Sequence, residues 1–446
     1  MVRVTVLLLA FVGATVPPAT GANLQEPMSY RDEILGREFS KDLVEVADGV
    51  HTAVGFGAAN STLVVGEDGA IIVDTMYGTE EAELVLEAFR GITDKPVVAI
   101  IFTHGHSDHI GGASVFASED AVEIFGREPP GTALDGYDEI ADILKTRARR
   151  QFGSDLQDEE KIDGIAPVHR PKGGVGGGKL APTRIVTSER ERITISGIDL
   201  ELIAAPGESP DHQLVWIPDS RVLICGDNFY MSYPNLYAIR GTPYRDVSVW
   251  VKSLNLMIGL DADVLVSGHA RPIAGKENVR RVLTDYRDAI DFVLHETLAG
   301  ANRGLTPDEL AATVTLPEPL VGKDYLQEFY GVIDWSVRSI YSGYFGWFDG
   351  NPTNLFPLTP REEAERMVRL IGSEGKLLNA IRGSIADHDY QWACRLADVL
   401  LALEPPVHEA RKLKANALRA IAQLQTSSNA RHYYLSVAYE LEALSE

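Results

Sequence analysis

The sequence predicts two β-sheets packed face to face with helices on their outer faces, an αββα sandwich, followed by an all-α helical domain. Three observations predict it. Residues from about 40 to 120 alternate short apolar runs with Gly and Asn turns before a stretch of helical spacing. The same alternation returns beyond residue 150, as expected for sheets that are each covered by helices. Past about residue 295 the apolar positions recur with helical spacing.

Taken in order, the chain starts with Met1-Val2-Arg3, an apolar run from Val4 to Val16, Pro17-Pro18 and then Ala19-Thr20-Gly21-Ala22. That pattern reads as a secretory signal, residues 1–22, with the mature protein exported to a bacterial periplasm or secreted. The run is short for a span, so stable membrane insertion is not expected. Ala58 to Val65, the Asp68-Gly69 turn and Ala70 to Val73 read as strand, turn and strand. Glu80 to Gly91 has helical apolar spacing at Ala82, Val85, Leu86 and Phe89. A catalytic region is expected over 23–295 and a helical region over 296–446. In the latter, Leu377, Leu378, Ile381 and Ile385 share one face, and Trp392, Ala393, Leu396, Val399, Leu400 and Leu403 share the next. Trp335, Trp347 and Trp392 all sit in apolar settings. Lys172-Gly173-Gly174-Val175-Gly176-Gly177-Gly178-Lys179 lacks the strand and helix context of a nucleotide loop. A flexible surface loop is the expectation there, and a lid the alternative. Cys225 and Cys394 sit in apolar patterns and read as core residues.

The chemistry is concentrated in Thr103-His104-Gly105-His106-Ser107-Asp108-His109, which leaves the apolar run Val97 to Phe102. His104 and His106 can converge on one ion, while Asp108 and His109 turn toward a second. Zinc suits such a mixed nitrogen and oxygen set. Further candidates each follow an apolar run: Asp74 after Ala70 to Val73, His212 after Leu202 to Ala205, Asp227 after Val222 to Cys225, and His269 after Val264 to Val266. His51, His169, His295, His388, His408 and His432 lack that setting and read as surface or packing residues.

These residues resemble the metallo-β-lactamase superfamily, whose signature is a Thr-His-x-His-x-Asp-His loop after a strand. The resemblance implies two zinc ions per chain. His104, His106 and His212 would hold the first, and Asp108, His109 and His269 the second. Asp227 would bridge them, with Asp108 and Asp227 the catalytic carboxylates and Asp74 bracing the histidine loop from behind.

With a formal charge of −23, generic binding to nucleic acid is not expected. Two stretches narrow the resemblance. Tyr330-Gly331-Val332 through Tyr344-Phe345-Gly346-Trp347-Phe348-Asp349-Gly350-Asn351-Pro352 is similar to the alkylsulfatase dimerisation signature. Asn235-Leu236-Tyr237-Ala238-Ile239-Arg240-Gly241 is similar to that family's Asn-Leu-Tyr-x-x-Arg-Gly segment. Arg240 and Arg245 offer forks suited to a sulfate's oxygen pairs, with Asn235 and Tyr344 as neutral donors. The family usually has glutamates where this chain has His212 and Asp227, and His-Asn where it has Trp335-Ser336. Its C-terminal sterol-carrier-like module is not matched. The resemblance therefore implies a homodimeric dizinc hydrolase acting on a small anionic ester, a small or medium alkyl sulfate. The alternatives are a lactonase or β-lactamase-like hydrolase of the same fold, and a catalytically silent scaffold.

Overall fold

The computed structural model describes residues 25–117, 122–128 and 137–444, and the signal expected at 1–22 lies outside them. No helix among the described residues is long and apolar enough to cross a membrane.

The first sheet takes seven strands in chain order: β1 (Asp42–Ala47), β2 (Val50–Val54), β3 (Ser61–Val65), β4 (Ala70–Val73), β5 (Val97–Ile101), β6 (Glu123–Gly126) and β7 (Arg184–Ile185). The second contains β8 (Arg190–Ile195), β9 (Ile198–Ala204), β10 (Gln213–Ile217), β11 (Val222–Ile224), β12 (Val264–Val266) and β13 (Ile273–Ala274), in the order β13-β12-β11-β10-β9-β8. Every residue of β4 is buried, because both of its faces are covered. Ile71 and Val73 enter the core between the sheets with Ile101, Leu202, Val215 and Ile224. Ala70 and Ile72 point the other way, onto Ala82, Val85 and Phe89 of the helix Thr79–Arg90. On the far side, the helices Val247–Leu260 and Lys276–Asn302 cover the second sheet through Trp250, Leu254 and Tyr286.

The parallel strand pairs position the site. β4 pairs with β5 in one sheet and β11 with β12 in the other, both in parallel. The two pairs therefore release Asp74, the histidine loop, Asp227 and His269 from their C-terminal ends at one place.

The helix Lys276–Asn302 runs straight through residue 295. One core cluster joins Leu223, Trp250 and Tyr286 to Leu310, Val337 and Ile340, so the helices up to about residue 345 pack as part of the catalytic body. A separate cluster of Leu377, Ile381, Leu396, Leu400, Leu418 and Ala438 holds the last five helices, from Pro360–Ile371 to Ser428–Ala443. Trp392 departs from the face expected for it and is 51 % exposed, and Trp347 is 73 % exposed. Cys225 and Cys394 are buried and unpaired.

The glycine-rich stretch is not a free surface loop. Gly178 N–H donates to the Gly111 carbonyl and Ser114 N–H to the Gly178 carbonyl. Gly176 N–H donates to the Tyr77 carbonyl, and Lys179 Nζ to Ser107 Oγ at 2.8 Å. Its composition signalled mobility, but its backbone groups are satisfied by the turns that flank the histidine loop, which fixes it there.

Candidate metal centre

His104 lies three residues past the end of β5, and the short helix Ser107–Ile110 turns Asp108 and His109 back toward it. Asp74 sits just past β4 in the left-handed region, at φ 59°. Its Oδ1 accepts Thr103 N–H and its Oδ2 accepts Thr103 Oγ1–H and His109 Nδ1–H, all at 2.8 Å. With Nδ1 used in this way, His109 presents Nε2 to the site. His269 Nδ1 donates to the Ala58 carbonyl at 2.9 Å, and its Nε2 also faces inward. Asp227 arrives on the turn Gly226–Asn228 after β11. A Cβ at position 268 would lie 2.2 Å from Asp227 Oδ1, so Gly268 is what lets the two turns meet.

Asp227 is the shared centre. Its Oδ1 lies 3.3 Å from His109 Nε2, and its Oδ2 lies 3.3 Å from His269 Nε2 and 3.7 Å from His104 Nε2. Asp108 Oδ2 is 3.7 Å from His109 Nε2 and 3.6 Å from His269 Nε2. Two groups with the spacing of metal ligands result: Asp108, His109, Asp227 and His269 in one, and His104, His106 and Asp227 in the other, each with its ligand atoms within 4.8 Å of one another. His109 Nε2 and Asp227 Oδ1 are buried without a hydrogen-bond partner. Leaving such atoms unpaired is costly in a protein interior, and a divalent cation fits the donor set.

The electrostatics agree. Burial depresses the His104 and His106 pKa values well below the ordinary range, with neighbouring cationic groups adding to the effect, which favours the neutral, ligand form. Burial acts against charge on His109 and His269 too, but the Asp227, Asp74 and Asp108 carboxylates outweigh it at His109, and Asp227 and Asp108 do so at His269. The carboxylates on that side thus favour positive charge there, whether a ring proton or a cation that displaces it.

His212 stands beside these groups without joining either. Its ring stacks on His104 at 4.8 Å, its Nε2 accepts Asp227 N–H at 3.1 Å, and burial pushes its pKa down to about 3. Its Nδ1 is buried and unpartnered.

A cavity of about 1000 Å³ opens onto His104 and His106, with Arg240, Arg245 and Glu208 in its wall. Arg240 is held by its backbone N–H, which donates to Gln151 Oε1 at 2.8 Å, and its Nη1 is buried without a partner. Arg245 Nη1 is committed to Glu208 Oε1 at 2.7 Å and to the Asn235 carbonyl, while its Nε and Nη2 are unpartnered. The Asn235 side chain is buried with Oδ1 unpaired. Tyr344 lies elsewhere. It is 48 % exposed on the helix Ile333–Phe345 and does not line the cavity.

Sequence reasoning missed four polar residues that shape this site. Glu208 pairs with Arg245, and Asp211 accepts Gly105 N–H at 2.7 Å. Both belong to the Pro206–Asp211 turn, where two acids just before His212 were the available signal. Gln151 and Glu81 gave no local signal.

Residues 54–269 match the metallo-beta-lactamase superfamily, and residues 306–443 match the alkyl sulfatase dimerisation family. The chain is 37 % identical over 398 residues to a linear primary-alkylsulfatase of Pseudomonas sp., covering 86 % of this chain and 74 % of that protein. It is 30 % identical over 437 residues to an alkyl/aryl-sulfatase of Saccharomyces cerevisiae, covering 95 % and 67 %. Among solved structures, the stereoselective inverting sec-alkylsulfatase from Pseudomonas sp. superimposes with a TM-score of 0.80 at 28 % identity, covering 93 % of this chain and 70 % of that one.

Proposed function

The chain belongs to the alkylsulfatase family of the metallo-β-lactamase superfamily, and from that premise we propose that it is an exported, homodimeric dizinc enzyme that hydrolyses small or medium alkyl sulfate esters. The observation that carries this reading is the sharing of Asp227 by two ligand-spaced groups beside a cavity whose two arginines keep buried donors free.

Zinc, when bound, would act as a Lewis acid and lower the pKa of water toward neutrality. His104, His106 and Asp227 would hold one ion, and Asp108, His109, Asp227 and His269 the other, with His212 packed against the first group. The chain's own residues do the rest. Asp74 and the Ala58 carbonyl hold the Nδ1–H of His109 and His269, so both rings present Nε2 to the site without turning. Arg240 Nη1 and the Nε and Nη2 edge of Arg245 are donors suited to sulfate oxygens. Glu208 holds the Arg245 guanidinium in place. Leu144, Ala148, Leu180, Ile185 and Val249 line the same cavity and suit an alkyl chain. Exposed Phe345, Trp347 and Phe356 support self-association through the helical region. The apolar run of residues 4–16 supports export.

The test is to load purified protein of residues 23–446 with zinc and assay it against alkyl sulfates of increasing length, lactones and β-lactams. Sulfate esters should be the fastest substrates. Faster turnover of neutral lactones than of any sulfate ester would overturn the proposal.

A further inference from the structure

Glu81 is a charged residue on the buried face of its helix, beside Ala82, Val85 and Phe89, and only 1 % of it is exposed. A carboxylate in that setting needs compensation. It receives two backbone donors from different loops: Ala58 N–H at 3.1 Å on Oε1 and Tyr77 N–H at 3.0 Å on Oε2. Arg170 approaches Oε1 at 3.9 Å and is itself held by Asp163 at 2.9 Å. The approach is tight, since a Cβ at Gly57 would come within 2.4 Å of the Glu81 carboxylate.

Both loops lead to the metal centre. Ala58 donates its N–H to Glu81 and, from the next peptide group, offers its carbonyl to His269 Nδ1. Asn60 ties that loop to the His269 turn through the Ser267 and Ala270 carbonyls. The Tyr77 peptide ends the segment that starts with Asp74, the acceptor for His109 Nδ1, and Thr75, whose N–H and Oγ1 both donate to the His109 carbonyl. That segment includes two residues at positive φ, Asp74 and Met76, a shape the backbone does not hold unaided. The Ala58 arm leads to His269 alone, whereas the Asp74 segment also reaches His104, because Asp74 Oδ2 accepts Thr103 Oγ1–H and Thr103 Oγ1 lies 3.1 Å from His104 Nδ1.

We propose that Glu81 is a positioning residue that acts mainly on one of the two ions. By holding Ala58, whose carbonyl orients His269, and Tyr77, at the end of the segment whose Asp74 orients His109, it sets the affinity of the Asp108, His109, Asp227 and His269 group, while the His104 and His106 group feels it only through the Asp74–Thr103 link. This rests on the two-ion reading above. Glutamine offers a single acceptor oxygen where the carboxylate has two, so Glu81→Gln must release one of the two loops.

The test strips the full chain with a chelator and titrates zinc back by competition with a chromophoric chelator, after near-ultraviolet circular dichroism has confirmed a native fold. Wild type should bind two ions. Glu81→Gln should weaken one of them by about ten- to a hundredfold, the usual effect of losing an outer-shell partner, and the other by clearly less. Proton spectra of the metal-free variant should show the hydrogen-bonded Nδ1–H resonance of His269 or His109 broadening or moving upfield. Two ions bound with wild-type affinity, or equal weakening of both, would overturn the proposal. A wild-type protein that binds only one ion would instead overturn the two-ion reading. If Glu81→Gln does not fold, Glu81→Asp replaces it, being one methylene too short to reach both peptides, with the same outcomes.

Discussion

Replacing Arg240 by Ala should separate substrate binding from stability. In the free protein the guanidinium is strained electrostatically. Burial and the nearby Arg245 cation both lower its pKa, and its Nη1 is buried with no acceptor. A buried donor of that kind costs about 1–3 kcal/mol, so its removal should leave the melting temperature unchanged or raise it. The loop should stay in place, because it is the Arg240 backbone N–H that bonds to Gln151. On the proposed reading, the same Nη1 would gain a charge-assisted hydrogen bond to an arriving sulfate oxygen, worth about 1.5–3 kcal/mol. Losing it should cost about 2 kcal/mol, or roughly 30-fold in kcat/KM. Arg240→Lys keeps the charge without the planar fork and should fall between the two. Steady-state kinetics on a short alkyl sulfate, with zinc content and melting measured on the same samples, decide the matter. A change of less than about threefold in kcat/KM, or a matching loss of zinc or stability, would refute the reasoning.

Zinc analysis of the purified protein should approach two equivalents per chain, and His106→Ala should lower both content and activity; full activity in that variant would remove His106 from the metal set. His432 is buried between Gln151 and Ile162, and burial pushes its pKa down from 6.5 to about 4. The unfolded chain takes up that proton first, so the stability from His432 is complete above about pH 6.5 and is lost as the pH falls through 4. The loss reaches about 3 kcal/mol in denaturant melts, and His432→Gln, which does not titrate, should flatten it. Light scattering should give a dimer at micromolar concentration, and Trp347→Ser with Phe356→Ser should shift it toward monomer; an unchanged dimer would move the interface away from this exposed arm.

The histidine loop was legible because its donors are local. His104, His106, Asp108 and His109 fall within six residues after one apolar strand, and no distant pairing is needed to bring them together. The sandwich was legible for a similar reason: β4 and its neighbours show in their own composition that both faces are covered. The second helical face was less so. Trp392 fits the apolar spacing of its helix, Tyr390–Leu401, yet lies at the edge of the buried stripe and stays half exposed.

Sequence alone therefore determined the layers, the strand ends that carry candidate ligands, and most of the candidate donors, because each is written in a short pattern of apolar residues and turns. Tertiary structure decided what those donors do. It turned the His212 Nε2 toward a backbone N–H, committed one arm of Arg245 to Glu208, and kept Tyr344 out of the cavity. It also docked the glycine-rich stretch on the histidine loop and placed Glu81 under two peptides 19 residues apart, Ala58 and Tyr77. These are pairings of single polar groups across long stretches of chain. Hydrogen-bond geometry chooses them only once the sheets have set which backbone groups lie within about 3 Å of one another, and no local periodicity records that distance.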